Sequence, residues 1–257
     1  MTTDIRDRAT HTVRFDRFEI DVYDAPRGVL TKEDLFDDVI TVVAEARGWS
    51  TREQHDSIRR TYKFQPFLDA DRVFVIRQDG APKGFCSVRF LERGGDRIHH
   101  LSNAAMVPEL QSKGAMAFVA LAYPALIDSA RADFAAHVSQ GRQFFTFISQ
   151  SPVVYGAMSR AGKIYPALDG SPAPDNVRQI ASLIARTINP DLVFDQDKFV
   201  IRRECSFFYK DVPRYHKPVV NAFFDQLLDY AAGDVVVGVL QVSPEALSQA
   251  KAQSAAM

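Results

Sequence analysis

The chain has few cysteines, one tryptophan and no excess of charge of either sign. Its 257 residues include 2 cysteines, and 31 Lys and Arg balance 32 Asp and Glu, which gives a formal net charge of −1. Two cysteines without C-x-x-C spacing cannot build a disulfide framework. Balanced charge provides neither a basic field for nucleic acid nor a polybasic signal for anionic lipid, so we expect neither as a partner.

Long hydrophobic runs are also missing. No apolar run approaches the roughly 18 residues that a membrane-spanning helix needs. The first twelve residues are charged and lack the apolar core of a signal peptide. We therefore expect a cytoplasmic protein that makes no membrane contact.

Several catalytic motifs are absent from the sequence as well. It contains no G-x-S-x-G elbow for a serine nucleophile and no G-x-x-x-x-G-K-(S/T) loop for a nucleoside triphosphate. It has neither an H-x-x-x-H pair nor a Cys/His cluster. The sequence therefore favours neither serine hydrolase nor P-loop chemistry, and we expect no metal.

The hydrophobic pattern that is present predicts an α/β chain. Hydrophobic residues make up 46% of the sequence and charged residues 25%, as in ordinary folded proteins. Alternating or β-branched runs between turn signals predict strands, and apolar residues at helical spacing predict helices. The predicted elements are a strand with one break in register at 13–23, helices at 31–48 and from 51 towards 64, strands at 72–77, 84–91 and 98–107, a long helix at 115–138, a strand at 144–149 and a short helix at 153–161.

The C-terminal third begins after a stretch rich in proline and glycine at 170–174, which predicts a linker. Beyond it, we predict helices at 175–188 and 218–232 and extended segments at 192–201 and 205–209. Residues 234–242, with the sequence DVVVGVLQV, have the composition of a buried strand.

The junction between the third strand and the long helix carries the most informative pattern. It reads Met106-Val107-Pro108-Glu109-Leu110-Gln111-Ser112-Lys113-Gly114-Ala115-Met116. A loop that leads into a helix presents unpaired N–H groups and the positive end of the helix dipole. A diphosphate can bind there if small side chains let the backbone approach. Gly114 provides that clearance, and Lys113 adds positive charge at the rim.

This junction resembles the acyl-CoA-binding loop of the GCN5-related N-acetyltransferase superfamily, whose pattern is V-x-P-x-x-(Q/R)-x-x-G-x-(G/A). Gln111 and Gly114 match the pattern, whereas Met116 stands at its second small position. The resemblance implies a mixed, mostly antiparallel central sheet flanked by helices, and acetyl-CoA or another acyl-CoA as co-substrate. It also implies a bulged strand, 102–106, that pairs with the pantetheine arm. The residues implied in co-substrate binding are Ala105, Met106, Val107, Gln111, Ser112, Lys113, Gly114, Ala115, Met116 and Ser151.

The short helix departs from the family pattern N-x-x-A-x-x-L-Y-x-x-x-G-F. Alignment on Gly162 places Ser151 at the asparagine position and Met158 at the tyrosine position, so the tyrosine that often protonates the leaving thiolate is absent. Tyr155 lies three residues before Met158, on nearly the same helical face. It is either a substitute proton donor or a tyrosine of the core.

Acyl transfer to an amine requires a group that takes a proton from the amine. The candidates are His99, His100 and Glu92. The two histidines are adjacent on a predicted strand, so their side chains point to opposite faces, and the sequence does not say which one faces the acceptor. If these residues are not catalytic, one histidine faces solvent and the other is hydrogen-bonded within the sheet, and Glu92 is an ordinary surface carboxylate.

We therefore divide the chain into an acyl-CoA-binding core with the N-terminal strand at 1–170 and a C-terminal extension at 171–257. The extension is expected to complete the sheet and the acceptor pocket, although its aromatic residues are equally consistent with a second small core. The function predicted is transfer of an acetyl or other acyl group from CoA to an amine of a small molecule. Two alternatives stay open, namely long-chain transfer from an acyl carrier protein and non-catalytic acyl-CoA binding. A homodimer also stays open.

Overall fold

The computed structural model describes residues 9–15, 18–28, 32–49, 51–61, 68–112, 139–188, 190–204, 212–243 and 245. The chain divides into two compact units, Met1–Phe90 with Leu101–Arg131 and Gln249–Met257, and Leu91–His100 with Ala132–Ser248. The helices and strands are β1 (His11–Phe15), β2 (Phe18–Asp24), α1 (Lys32–Ala46), α2 (Arg52–Thr61), β3 (Arg72–Gln78), β4 (Ala81–Arg93), β5 (Asp96–Met106), α3 (Pro108–Ser112), β6 (Gln143–Ser149), α4 (Pro152–Met158), β7 (Gly162–Tyr165), α5 (Asp175–Ile188), β8 (Phe194–Asp195), β9 (Val200–Ile201), α6 (Pro218–Leu227) and β10 (Val235–Val242).

The first unit is built on strands in the order β1-β2-β3-β4-β5, to which β5 contributes its C-terminal half. The pairs β1–β2, β2–β3 and β3–β4 are antiparallel. Alternate residues of these strands bury one face against α1 and α2, in a cluster that includes Tyr23, Val73, Val75 and Phe85. The period of two along each strand therefore produces a sheet with a helix-covered face.

A buried ion cluster lies beneath α1. The Arg77 guanidinium donates from Nε to the Asp21 carboxylate and from a terminal nitrogen to the Asp38 carboxylate, each at 2.8 Å. Thr12 donates its hydroxyl to the second Asp21 oxygen at 3.0 Å. The side chains of Arg77 and Asp21 are only 4% and 3% exposed, so their charges depend on each other for compensation.

The second unit contains the N-terminal half of β5 and strands in the order β5-β6-β10-β9-β8, with β7 also paired to β10. β10 is antiparallel to β6, β7 and β9. The Arg97 N–H donates to the Arg142 carbonyl at 2.9 Å, and His100 contacts Thr146, so β5 and β6 advance in the same direction and are parallel. α5 buries its apolar face on the side of this sheet that carries Val235, Val237 and Val239.

The fold class predicted from the sequence, a mixed and mostly antiparallel sheet flanked by helices, is confirmed. The prediction of a single strand with one break at 13–23 was wrong. The break is a turn between two strands, β1 and β2, which pair antiparallel from Phe15↔Phe18 to His11↔Val22. The short strand β7 was not predicted. The helix expected at 218–232 ends at Leu227, and the extended segment at 192–201 contains two strands of two residues.

Three further observations bear on the expectations from the sequence. The predicted helix at 115–138 and the predicted extended segment at 205–209 lie outside the described residues. Residues on both sides of position 170 belong to the second unit. Within the ranges given above, no helix has both the length and the apolar character needed to cross a membrane.

Candidate functional site

The junction between β5 and α3 consists of one residue, Val107. Its N–H donates to the Lys83 carbonyl on β4 at 3.0 Å, and its carbonyl accepts from the Leu110 N–H at 3.0 Å. Pro108 begins the helix at a position where a missing N–H costs no helical hydrogen bond. Val107 and Leu110 are buried, so the junction is anchored on both sides. Strand pairing therefore ends and the helix begins within two residues.

β5 carries one residue more than its pairing with β4 requires. The glycines at 94–95, both with positive φ (+58° and +81°), form a two-residue turn, so Arg93 faces Asp96. Counted away from the turn, Val107 lies 11 residues beyond Asp96 on β5, whereas Lys83 lies only 10 residues from Arg93 on β4. Because the Val107 N–H nevertheless bonds to the Lys83 carbonyl, the extra residue lies in β5.

Side-chain packing shows the same shift in register. Close to the turn, Leu91 and Ile98 face each other and belong to one hydrophobic cluster. Farther from the turn, Phe85 belongs to a hydrophobic cluster against which Ala105 packs. If β4 and β5 kept the register that they have at the turn, Ala104 would lie opposite Phe85 instead. The extra residue therefore lies between Ile98 and Ala105. An extra residue in one strand of an antiparallel pair is a β-bulge, which leaves one residue unpaired and bends the strand.

Gly84 on β4 lies against the end of the bulged strand. A Cβ at this position would stand 3.2 Å from the Ala105 carbonyl oxygen and 3.2 Å from the Met106 side chain, closer than most Cβ contacts. The Ala105 carbonyl thus faces β4, as does the N–H of Val107. Since successive backbone groups point to opposite edges of a strand, those of Met106 point away from β4.

The two candidate histidines lie on opposite faces of the second unit, because they contact successive residues of β6. The buried ring of His99 stacks on Phe145 with the centroids 5.0 Å apart. The buried ring of His100 places Nδ1 3.1 Å from the Thr146 hydroxyl oxygen. A hydrogen bond at one ring nitrogen orients an imidazole, so His100 has a defined orientation in the sheet.

Glu92 is at the surface, whereas Ser151 and Tyr155 are buried. The Glu92 carboxylate lies 3.6 Å from Nε of Arg97 and is largely exposed. Ser151 is the N-cap residue of α4, but its hydroxyl makes no capping hydrogen bond. Its N–H donates to the Ser149 hydroxyl oxygen at 2.9 Å. These contacts place Glu92 in solvent and Ser151 inside the second unit.

Tyr155 is enclosed by the second unit. Its hydroxyl donates to the Pro166 carbonyl, and its ring packs against Phe223 and Phe224 with centroid separations of 5.8 and 5.5 Å. Burial, followed by the nearby Asp169 carboxylate, raises the pKa of the Tyr155 hydroxyl. The hydroxyl therefore holds its proton at neutral pH and has an acceptor inside the protein.

The predicted loop residues are described only in part. Ala105, Met106 and Val107 lie at the end of β5 and at the junction, as given above. Gln111 and Ser112 belong to α3 by their backbone. Lys113, Gly114, Ala115 and Met116 lie outside the described residues.

Two other kinds of catalytic group find no support in the described ranges. Among those residues, no group of three or more His, Cys, Asp or Glu side chains could hold a metal ion. Cys86 is completely buried, and burial raises the pKa of its thiol, so it does not provide a thiolate nucleophile.

Sequence reasoning did not identify Gly84 or Thr146. A glycine inside a predicted strand is a signal of close backbone approach, so Gly84 could have been found. Thr146 could not, because its contact with His100 joins residues far apart in the sequence.

No protein-family model matches the chain, and neither does any curated protein. Solved structures do match. One is a GCN5-related glucosamine N-acetyltransferase region of a fungal multi-domain β-N-acetylglucosaminidase, with 16% identity, a TM-score of 0.34, and coverage of 71% of this chain and 18% of that chain.

Two other matches are with N-acetyltransferases that are covered over most of their length. The ribosomal-protein-S18-alanine N-acetyltransferase from Escherichia coli has 13% identity and a TM-score of 0.33, with coverage of 87% of this chain and 94% of that chain. The PaiA N-acetyltransferase from Thermoplasma acidophilum, in complex with coenzyme A, has 15% identity and a TM-score of 0.35, with coverage of 58% and 92%. Identities and TM-scores this low carry no conclusion about substrate or residue roles. Each of these three structures is, or contains, an N-acetyltransferase, and at TM-scores of 0.33 to 0.35 the matches carry no argument about the activity of this chain.

Proposed function

We propose that this protein transfers an acyl group from a CoA thioester to an amine of a small-molecule acceptor. The observation that carries this proposal is the bulge in β5 between Ile98 and Ala105, in the strand that leads into the segment whose sequence resembles an acyl-CoA-binding loop. The backbone groups of Met106 point away from β4, and an extended ligand arm can pair with such groups as an added strand does.

The end of β5 is suited to a pantetheine arm. The Ser102 hydroxyl is buried without a hydrogen-bond partner among the described residues, as expected of a strand that receives a polar ligand. When bound, acyl-CoA supplies an activated acyl group, and the protein positions that group. We propose that 102–106 and Val107 hold the pantetheine arm and that the loop residues hold the diphosphate. The proposed loop residues are Gln111, Ser112, Lys113, Gly114, Ala115 and Met116.

The proposed reaction is direct attack. The amine nitrogen attacks the thioester carbon, the carbon–sulfur bond breaks, and the sulfur leaves as a thiolate while the nitrogen gives up a proton. We propose His100 as the group that receives this proton, because Thr146 orients its ring, whereas Glu92 lies in solvent. Thiols are far more acidic than alcohols or amines (the cysteine thiol has an ordinary pKa of about 8.5), so a thiolate can leave without a dedicated proton donor. This agrees with assigning Tyr155 to packing.

A non-catalytic acyl-CoA-binding protein is the second candidate. Met158 occupies the position of the usual tyrosine and is buried, and the Tyr155 hydroxyl is already bonded to Pro166. Neither side chain offers a proton to a leaving thiolate, and a protein that only binds acyl-CoA needs no such donor.

The test combines binding and turnover. Thermal unfolding and calorimetric titration are measured with CoA, acetyl-CoA and palmitoyl-CoA. A ligand at about 100 times its dissociation constant adds about 2.7 kcal/mol to the free energy of unfolding, which gives a clear shift in Tm. Release of the CoA thiol is then followed with a panel of amines. Binding with amine-dependent release supports the transferase, and binding without release from any amine supports the second candidate.

Two variants of α3 make the binding test specific. Gln111→Ala removes the side chain that matches the family pattern and should weaken CoA binding about tenfold, the effect of one hydrogen bond to a charged group. Glu109→Gln is the control, because the Glu109 side chain is exposed and lies 3.6 Å from Lys83. If the wild type binds none of the three compounds, a CoA thioester as donor is rejected, and the alternative of an acyl carrier protein as donor is tested next.

A further inference from the structure

Two hydroxyls of the β4–β5 hairpin are buried and have no hydrogen-bond partner in the described part of the chain. They belong to Ser87 on β4 and Ser102 on β5. Buried hydroxyls in folded proteins nearly always have a partner, which is protein, ordered water or ligand. Ser102 differs from Ser87 because it lies on the strand that contains the bulge.

The position of Ser102 along β5 matches the reactive end of acyl-CoA. Four residues of strand separate Ser102 from Met106, a distance of about 13 Å. The pantetheine arm has about thirteen bonds between the diphosphate and the sulfur. Three bonds of extended chain span about 3.3 to 3.6 Å, so the arm reaches about 15 Å. An arm that starts at the β5–α3 junction and follows β5 therefore places its thioester close to Ser102.

We propose that the Ser102 hydroxyl donates a hydrogen bond to the carbonyl oxygen of the acyl thioester, an inference that rests on the proposed function. A hydroxyl with no partner in the protein can donate to a ligand without breaking an existing bond. Neutral hydrogen-bond donors of this kind stabilise the negative charge that develops on a carbonyl oxygen during acyl transfer.

In the proposed role, Ser102 is not consumed by the reaction, because its O–H bond stays intact throughout. As the amine nitrogen forms its bond to the thioester carbon, the electron pair of the C=O π bond moves to oxygen. The Ser102 O–H remains intact and donates to this oxyanion. When the C=O bond re-forms, the carbon–sulfur bond breaks and the electron pair leaves with sulfur. The amine proton goes to the general base, so Ser102 neither gains nor loses a proton.

The experiment compares Ser102→Ala with Ser102→Thr and Ser87→Ala in the full-length chain. Dissociation constants for acetyl-CoA and for CoA are measured by calorimetry without an amine. Because CoA lacks the thioester carbonyl, Ser102→Ala should weaken acetyl-CoA binding roughly 3- to 10-fold and leave CoA binding unchanged. Ser102→Thr, which keeps a hydroxyl, should bind both as the wild type does, and Ser87→Ala should change neither constant.

A second readout reports on the carbonyl itself. The ¹³C resonance of bound acetyl-CoA labelled at the carbonyl should move upfield when Ser102 is replaced by Ala, because the bound carbonyl loses a polarising donor. Where an acceptor amine is known, kcat should fall about 10²- to 10³-fold, as for the loss of one oxyanion donor.

The outcomes separate this inference from the proposed function. If the wild type binds acetyl-CoA but Ser102→Ala binds acetyl-CoA and CoA with unchanged constants, the Ser102 assignment is wrong and the proposed function stands. Equal weakening by Ser102→Ala and Ser87→Ala also overturns the assignment, since it indicates a general effect on the hairpin. If the wild type binds neither acetyl-CoA nor CoA, the proposed function falls and takes this inference with it.

Discussion

Replacement of Arg77 with methionine is the sharpest test of how the first unit is held together. Arg77 binds the Asp21 and Asp38 carboxylates through separate nitrogens, each at 2.8 Å. Methionine fills much of the same volume but cannot donate a hydrogen bond. The variant therefore leaves the Asp21 charge almost fully buried, with the Thr12 hydroxyl as its remaining hydrogen-bond partner among the described residues.

The size of the effect follows from the exposure of the two carboxylates. Removal of one partner of a buried ion pair costs about 3–5 kcal/mol, because the remaining charge is left uncompensated. The Asp38 side chain is 27% exposed and can recover hydration, so most of the cost falls on Asp21. We therefore expect the lower part of that range, about 3 kcal/mol. In a chain of this size, about 1 kcal/mol lowers Tm by roughly 2–4 °C, which gives a decrease of about 6–12 °C.

The assay is urea unfolding at neutral pH, followed by circular dichroism, with thermal scans in parallel. Arg59→Met is the matched control, because Arg59 pairs with Asp37 at the surface. An exposed pair contributes only about 0–1 kcal/mol. The double variant Asp21→Asn, Arg77→Met removes the uncompensated charge and should regain part of the lost stability. The reasoning is refuted if Arg77→Met unfolds like Arg59→Met, or if the double variant is no more stable than Arg77→Met.

The remaining predictions concern the tyrosines. Burial is the main cause that raises the pKa of Tyr23 and of Tyr230 from 10.0 to about 12. An unfolded chain releases these protons near pH 10, so stability is fully present below about pH 10 and falls as the pH rises towards 12. Ultraviolet titration of tyrosinate should show a late fraction that coincides with unfolding, and simultaneous titration of all 8 tyrosines in a folded protein would contradict this. Tyr155→Phe should lower stability by about 1 kcal/mol through loss of the bond to Pro166, with kcat unchanged. A large loss of kcat in a stably folded Tyr155→Phe variant would instead identify Tyr155 as the proton donor.

Local sequence signals determined most individual elements. The helix at 175–188 was predicted with its observed bounds, because apolar residues at helical spacing follow a proline and are buried as a stripe. α2 begins after Thr51, whose backbone N–H and hydroxyl exchange hydrogen bonds with Gln54. The turns at 79–80 and at 94–95 follow from residues that adopt positive φ. All of these depend on residues only a few positions apart.

The candidate site was predictable only in outline. The sequence predicted a strand that ends before Pro108, followed by a loop and a helix at 115–138. The strand end is confirmed, but a helix already begins at Pro108 where a loop was expected, and the predicted helix lies outside the described residues. The sequence indicated that Tyr155 could be a proton donor or a residue of the core, but not that its hydroxyl reaches Pro166. Hydrogen-bond partners of this kind depend on how separate segments pack, and periodicity carries no information about them.

What the sequence by itself determined is the fold class and the position of most helices and longer strands, and it also predicted the segment in which a ligand-binding junction should lie. Only the tertiary structure decided that the break near residue 16 is a turn between paired strands, and that β5 contains an extra residue before Ala105. Only the structure also decided that Ser102 has a buried hydroxyl without a partner in the described residues. The physical reason is the range of the interactions. Caps, turns and amphipathic faces depend on neighbours in the chain, whereas register and hydrogen-bond satisfaction depend on strands brought together by folding.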